Sequence, residues 1–240
     1  MRQFICTLMA ILCGLALKEI KMKAAEVLTL LNEGNVEEVK RMCELEIFAE
    51  NLNQKKKGKD NPKKLIEARE RVAKKFVKSM ADRPGLAGAY ELNGKQMLCD
   101  GCVGLMFNDI IPGLPSAKPE ASPFDLEKVF PQQSALIEIH PDIDLNEIKA
   151  LRKIVKAQNK KAGEEHMRVK IGEACYQSAY LLDLVPTLSG ELFWYQRGEV
   201  APRNQMLVIE GENGKVIILP YVYRGEPGKE IPPMKEYPIN

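Results

Sequence analysis

Apolar positions along the chain fall into two textures. From residue 22 to 83 they recur at three- and four-residue steps, the period of helices with one buried side. Val27, Leu28, Leu30 and Leu31 form a short stripe ending at Asn32-Glu33-Gly34, where glycine suits a helix stop. Asn35 is placed to cap a second helix, with Glu38 three residues on. Val36, Val39, Met42, Cys43, Ile47 and Leu52 mark its apolar side, and the run Lys55 to Asp60 reads as a solvated loop. Pro62 suits the first turn of a third helix, where a missing N–H loses no partner. Leu65, Ala68, Val72 and Phe76 line that helix, and Arg83-Pro84-Gly85 ends it.

From Gly88 the pattern turns to short alternating runs separated by turn residues. Ala89–Leu92 and Gln96–Cys99 flank Asn93-Gly94, which supplies the positive φ of a tight hairpin turn. Val103–Phe107 continues as a third strand. Residues 108–123 carry four prolines and read as a loop, and Phe124–Phe130 as a short helix. A strand over Ala135–His140 follows, then a strong helix over Asp144–Lys161, capped by Asp144 with Ile148, Leu151 and Val155 inward. The remainder reads as a strand (Met167–Ile171), a helix (Tyr176–Leu184) and three strands (Glu191–Gln196, Met206–Glu210 and Lys215–Val222). Glu212-Asn213-Gly214 turns between the last two, and the Pro- and Gly-rich tail 223–240 reads as loosely held. The fold class is α+β: a helical segment over 22–84, then a mixed domain over 85–222.

The 240 residues are 45% hydrophobic, enough for a sizeable core, and the net charge of +2 says little by itself. Six scattered cysteines in a chain of this length favour reduced thiols and a cytoplasmic setting. Residues 1–21 fit three readings, of which a native buried helix is the least favoured. Arg2 and the apolar run Phe4–Leu17 resemble a signal peptide, too short to span a bilayer comfortably. Alternatively, Lys18-Glu19 can be encoded as a ribosome-binding sequence upstream of a start at Met22, which makes the segment an extension to be left out of fold reasoning. The extension reading is preferred.

Catalytic constellations do not stand out. Cys99-Asp100-Gly101-Cys102 matches C-x-x-C, but one such pair falls short of the four ligands of a structural zinc site. A redox reading would want the pair opening a helix, whereas here it brackets a turn. There is no glycine loop of the phosphate-cradling type and no nucleophile elbow. Asp142 and Asp144 are spaced like paired metal carboxylates, though helix capping explains them better. Neither a metal nor a cofactor is expected, and the chain reads as non-enzymatic. The basic helix is more informative. Lys149, Arg152, Lys153, Lys156 and Lys160 recur at three- and four-residue steps opposite the apolar side. Such a stripe can lie along phosphates, although most charge runs are simply solvated faces. Lys63, Lys64, Arg71, Lys74, Lys75 and Lys78 could add a second positive surface. Trp194 and Tyr195 could stack on bases, but packing within a sheet is the blander role.

Three places resemble the bacterial sliding clamp, the beta subunit of DNA polymerase III. Ala174-Cys175-Tyr176-Gln177-Ser178-Ala179-Tyr180-Leu181-Leu182-Asp183 is similar to a clamp helix. Gly214-Lys215-Val216-Ile217-Ile218-Leu219-Pro220-Tyr221-Val222 resembles its closing strand, and Leu98-Cys99-Asp100-Gly101-Cys102-Val103-Gly104-Leu105 its Asp-Gly strand turn. The resemblance covers about 130 residues, as in small phage or prophage clamp-like proteins. The Thr and Arg of the family's turn are replaced here, and only one clamp domain's worth of sequence is present, so a ring would require a homo-oligomer. The resemblance implies an antiparallel sheet with two helices on one face. It also implies double-stranded DNA facing Lys149, Arg152, Lys153, Lys156 and Lys160, and a polymerase or repair protein tethered near Leu219 and Pro220. No membrane partner is implied. The alternatives are a secreted or periplasmic interaction domain, if the N-terminal run is a signal peptide, and a small enzyme using Cys99 or Cys102.

Overall fold

A computed structural model describes residues 24–55, 62–116, 124–198, 200–222 and 231–239. The expectations for residues 1–21, for residues 56–60 of the expected Lys55–Asp60 loop, for residues 117–123 and for residues 223–230 lie outside the described residues. The chain divides into two units at Lys55–Lys56. In the first, α1 (Ala24–Asn32) and α2 (Val36–Lys55) form a helical hairpin. Gly34 takes φ +77° at the junction, and the Asn35 amide reaches back to the Leu30 carbonyl at 2.8 Å, closing the end of α1. Glu37 and Glu38 sit in the first turn of α2, where negative charge complements the helix dipole.

The second unit begins with α3 (Pro62–Ser79), proline in its first turn as expected. The sequence pattern groups this helix with the first two. Instead, Val72, Ala73 and Phe76 pack into the core of the sheet, so the boundary falls before α3 and not after it.

Seven strands form one antiparallel sheet in the order β1-β2-β3-β9-β8-β7-β4. They are β1 (Ala89–Leu92), β2 (Lys95–Cys99), β3 (Val103–Phe107), β4 (Leu136–Ile139), β7 (Phe193–Arg197), β8 (Leu207–Gly211) and β9 (Gly214–Ile218). Asn93 (φ +54°) and Gly94 (φ +72°) turn β1 into β2, as their residue types demand. The register fixes two faces. Leu98 stands opposite Leu105, Leu105 opposite Val216, and Val216 opposite Ile209, all fully buried on the inner face. Met97 and Met106 pair on the outer face, where they pack with Cys99 and Leu126. Leu126 lies in a short 3-10 turn, Leu126–Lys128, where the sequence suggests a helix over Phe124–Phe130. A Cβ at Gly104 would meet Leu126 Cδ2 at 2.8 Å, so the missing side chain is what lets that turn close on the sheet.

The inner face is covered by α3, by α4 (Leu145–Gln158), by α5 (Ser178–Leu184), and by a second sheet. This sheet has the order β10-β5-β6, from β5 (Arg168–Ile171), β6 (Ala174–Gln177) and β10 (Lys235–Tyr237). Two expectations are corrected here. Tyr176 and Gln177, expected to start a helix, belong instead to strand β6, because Val169 and Tyr176 pair across the β5–β6 hairpin and Tyr176 is fully buried in the core. The tail is also not loose throughout. Residues 235–237 pair in parallel with β5, Tyr237 is buried, and Glu147 of α4 accepts bonds from Lys235 Nζ (2.9 Å) and Tyr237 OH (3.1 Å).

One buried cation joins these layers. Arg69 of α3 is wholly enclosed. It donates to Asp109 Oδ1 at 2.7 Å, to the Asp109 carbonyl at 3.3 Å and to the Thr187 carbonyl at 3.5 Å, and its guanidinium lies 3.5 Å from the Phe107 ring centroid. Burial pulls its pKa down, and the Asp109 charge opposes that pull.

Candidate functional site

The α4 helix presents the cationic residues on which a polyanion reading rests. Asp144 caps it as expected, its Oδ1 accepting from the Asn146 amide at 2.7 Å, and Ile148 is buried against the core. Lys149, Lys153 and Lys156 are all exposed and fall within about 60° of arc at 3.6 residues per turn. Lys156 donates to the Ala162 carbonyl just beyond the helix. Among the described residues, no carboxylate pairs with Lys149, Lys153 or Lys156.

Two members of the expected set behave differently. Arg152 is half-buried and held by both oxygens of Glu164, each at 2.7 Å, and it also donates to Ser178 Oγ at 2.7 Å. These three bonds tie α4 to Glu164 and to the start of α5, so its guanidinium is held within the fold and not turned outward with the lysines. Lys160 is exposed but lies beyond Gln158, where the helix ends, because Asn159 turns to φ −140° and its Oδ1 takes the Lys161 amide. Helical spacing therefore does not hold Lys160 in the stripe.

Other candidates resolve into packing. Trp194 lies against the core, whereas Tyr195 next to it stands across from Val208 on the opposite face, so the two cannot stack on one strand of bases. On α3, Lys74 pairs with Glu70 (3.7 Å) and Lys75 with Asp183 (2.8 Å), which removes part of the second positive surface. His140 and His166 sit 3.9 Å and 3.6 Å from Glu138 and Glu165. No cluster of three His, Cys, Asp or Glu suited to a metal occurs among the described residues.

The Cys99–Cys102 turn opens a second site. Asp100 Oδ1 accepts the amides of Cys102 (2.8 Å) and Val103 (2.9 Å), and Gly101 supplies φ +86°. Tyr180 of α5 donates to Asp100 Oδ2 at 3.1 Å; burial raises the phenol's pKa, and the carboxylate adds to the shift. Beside the turn lies an apolar pocket of about 120 Å³, bordered by Leu86, Cys99, Cys102, Phe124, Leu126 and Leu219. Leu219, expected at a partner-peptide site, thus borders a pocket, and its amide donates to the Cys102 carbonyl at 2.9 Å. Pro220 is not among the described residues that line it. Phe124 and Leu86 were not legible as pocket residues, since they come from turns with no periodicity to place them.

Among the described residues no helix is long and apolar enough to cross a membrane. Comparison with protein-family models, curated proteins and solved structures returns no match.

Proposed function

We infer that the chain is a non-enzymatic accessory protein that associates with duplex DNA through α4, in the manner of a sliding clamp, and that it serves a cytoplasmic replication or repair partner of bacterial or phage origin. The observation that carries this reading is the trio Lys149, Lys153 and Lys156: three exposed lysines on one helix face, with no carboxylate paired to them among the described residues and only Lys156 tied to a backbone carbonyl. Where a charge stripe serves only solubility, neighbouring acids commonly offset it; an uncompensated one keeps its full field for phosphates. α4 and α5 lie on the inner face of an antiparallel sheet, as the clamp-like reading asks, and α3 and the three-stranded sheet share that face with them. Encircling DNA would require several copies. The pocket beside Leu219 is the place where a partner peptide could seat an aliphatic side chain.

Binding of the full chain to unrelated DNA duplexes, followed by fluorescence anisotropy across a salt series, tests the reading. Three phosphate contacts give a log–log slope of about −3. The double variant Lys149→Ala, Lys153→Ala should reduce the slope by about 1 per lysine at every duplex sequence. An Arg152→Ala variant should lower stability with little change in slope. Binding that ignores salt, or a double variant that binds as the parent does, would refute the assignment.

A further inference from the structure

We propose that Cys99 and Cys102 form a reversible dithiol–disulfide pair, whose oxidation by a small-molecule disulfide stiffens the β2–β3 turn and the rim of the adjoining pocket. This inference is independent of DNA binding.

Cys-x-x-Cys spacing alone fits a loop, a metal site or a redox couple. The structure removes the metal alternative for these two thiols among the described residues, since no other ligand gathers beside them. It also sets the pair in a bent, braced frame. Cys99 ends β2 and Val103 begins β3, and the Asp100 amide meets the Val103 carbonyl at 3.2 Å, so the four residues reverse direction within one turn. Both cysteines border the same pocket. The Gly101 amide donates to Cys99 Sγ at 3.3 Å, holding that sulfur against the turn.

The thiols differ in a way that orders the chemistry. Cys102 is exposed and open to a small disulfide, whereas Cys99 is buried. Burial pushes the Cys99 thiol up, with the Asp100 and Cys102 charges adding to the shift against the Gly101 bond. The Cys102 thiolate therefore attacks first, forming a mixed disulfide and expelling one small thiolate, which takes up a proton. Cys99 then loses its proton to water and attacks Cys102 Sγ, forming the internal S–S bond and expelling the second small thiolate. Two protein thiols give up two electrons and two protons, and the small disulfide leaves as two thiols.

The effect reaches β9 through one bond. The Cys102 carbonyl accepts the Leu219 amide, so a cross-link that removes freedom from the turn also steadies the chain where it leaves β9 at the pocket. Tyr180 on Asp100 ties the same turn to α5.

The experiment equilibrates the native full chain in glutathione buffers of rising oxidised fraction, quenches with acid, alkylates under denaturing conditions and maps the tryptic peptide spanning residues 96–128. That peptide carries both thiols and no other cysteine. The expected result is loss of both alkylatable thiols together, with a peptide two hydrogens lighter that reverts on reduction, and slower hydrogen exchange at the Leu219 amide in the oxidised form. In Cys99→Ser, a glutathione adduct should accumulate at Cys102. Stable glutathionylation of Cys102 in the parent chain, two thiols that stay alkylatable at every ratio, or pairing of either with a different cysteine would each overturn the proposal. Unchanged exchange at Leu219 would overturn the stiffening. The parent chain alone decides the outcome if the serine variant fails to fold.

Discussion

Replacing Arg69 with alanine is expected to destabilise the larger unit by about 3–5 kcal/mol, because it leaves the Asp109 carboxylate partly buried without its cation. The expectation follows from the enclosure of Arg69 and from its three acceptors on two distant segments, Asp109 and Thr187. Asp109 Oδ2 is already buried without a hydrogen-bond partner, so it has no second donor to fall back on. Phe107 would also lose the guanidinium stacked on its ring. For a unit of this size the loss corresponds to a fall of roughly 6–20 °C in Tm. Lysine should fail to rescue, since a point charge cannot supply the planar fork that reaches Asp109 and Thr187 together. The double variant Arg69→Met, Asp109→Leu should recover most of the loss, as apolar replacement of a buried pair often does. Thermal and urea denaturation of the three variants measure this. An Arg69→Ala protein within about 1 kcal/mol of the parent would mean that the guanidinium does not hold these layers together.

Removing residues 231–240 is the second large perturbation. The deletion takes away β10, the buried Tyr237 ring and the two bonds to Glu147, and it uncovers the edge of β5. Tyr237→Ala alone should cost about 3–5 kcal/mol, the range for emptying a buried aromatic site, and the deletion at least as much. The attachment should also respond to acid. The Lys235 ammonium holds the Glu147 carboxyl below its ordinary range, with Tyr237 assisting and burial opposing. A depressed folded pKa gives stability that is present above the unfolded value of about 4.3 and lost as pH falls through the lower folded value. Protection of the Gly172 amide, which donates to the Tyr237 carbonyl at 3.1 Å, measured against the intrinsic exchange rate at each pH, should therefore fall in moderate acid before the large sheet opens. Equal protection of that amide on both sides of this window would remove the link.

What could be read in the chain beforehand divides along physical lines. Features encoded by neighbours in sequence were legible. Asn93-Gly94 demands a tight hairpin whatever surrounds it, Asp144 caps the helix that follows it, and Leu65, Ala68, Val72 and Phe76 mark the face of α3 that is in fact buried. Features that depend on distant partners were not. Arg69 sits among charged residues of an amphipathic helix, and nothing local announces that its acceptors lie at Asp109 and Thr187. The β10 strand is three residues long within a Pro- and Gly-rich tail, and only the exposed edge of β5 makes it a strand. The candidate site shows the same split. The spacing of Lys149, Lys153 and Lys156 placed them on one face, whereas the loss of Arg152 to Glu164 depends on where the chain returns after α4.

The pairing of β3 with β9 also bears on how this protein comes to be folded. Val103 lies opposite Ile218, so the middle of the large sheet is a seam between strands from opposite ends of the mixed domain. On one side stand three strands that can form as a meander as soon as they are made; on the other, β7, β8 and β9 can do the same. Joining them means closing a loop that contains both α4 and α5, an entropic cost met before the inner-face contacts can reward it. Refolding should therefore be governed by this one long-range encounter, in milliseconds to seconds rather than microseconds, with the two meanders waiting on each other.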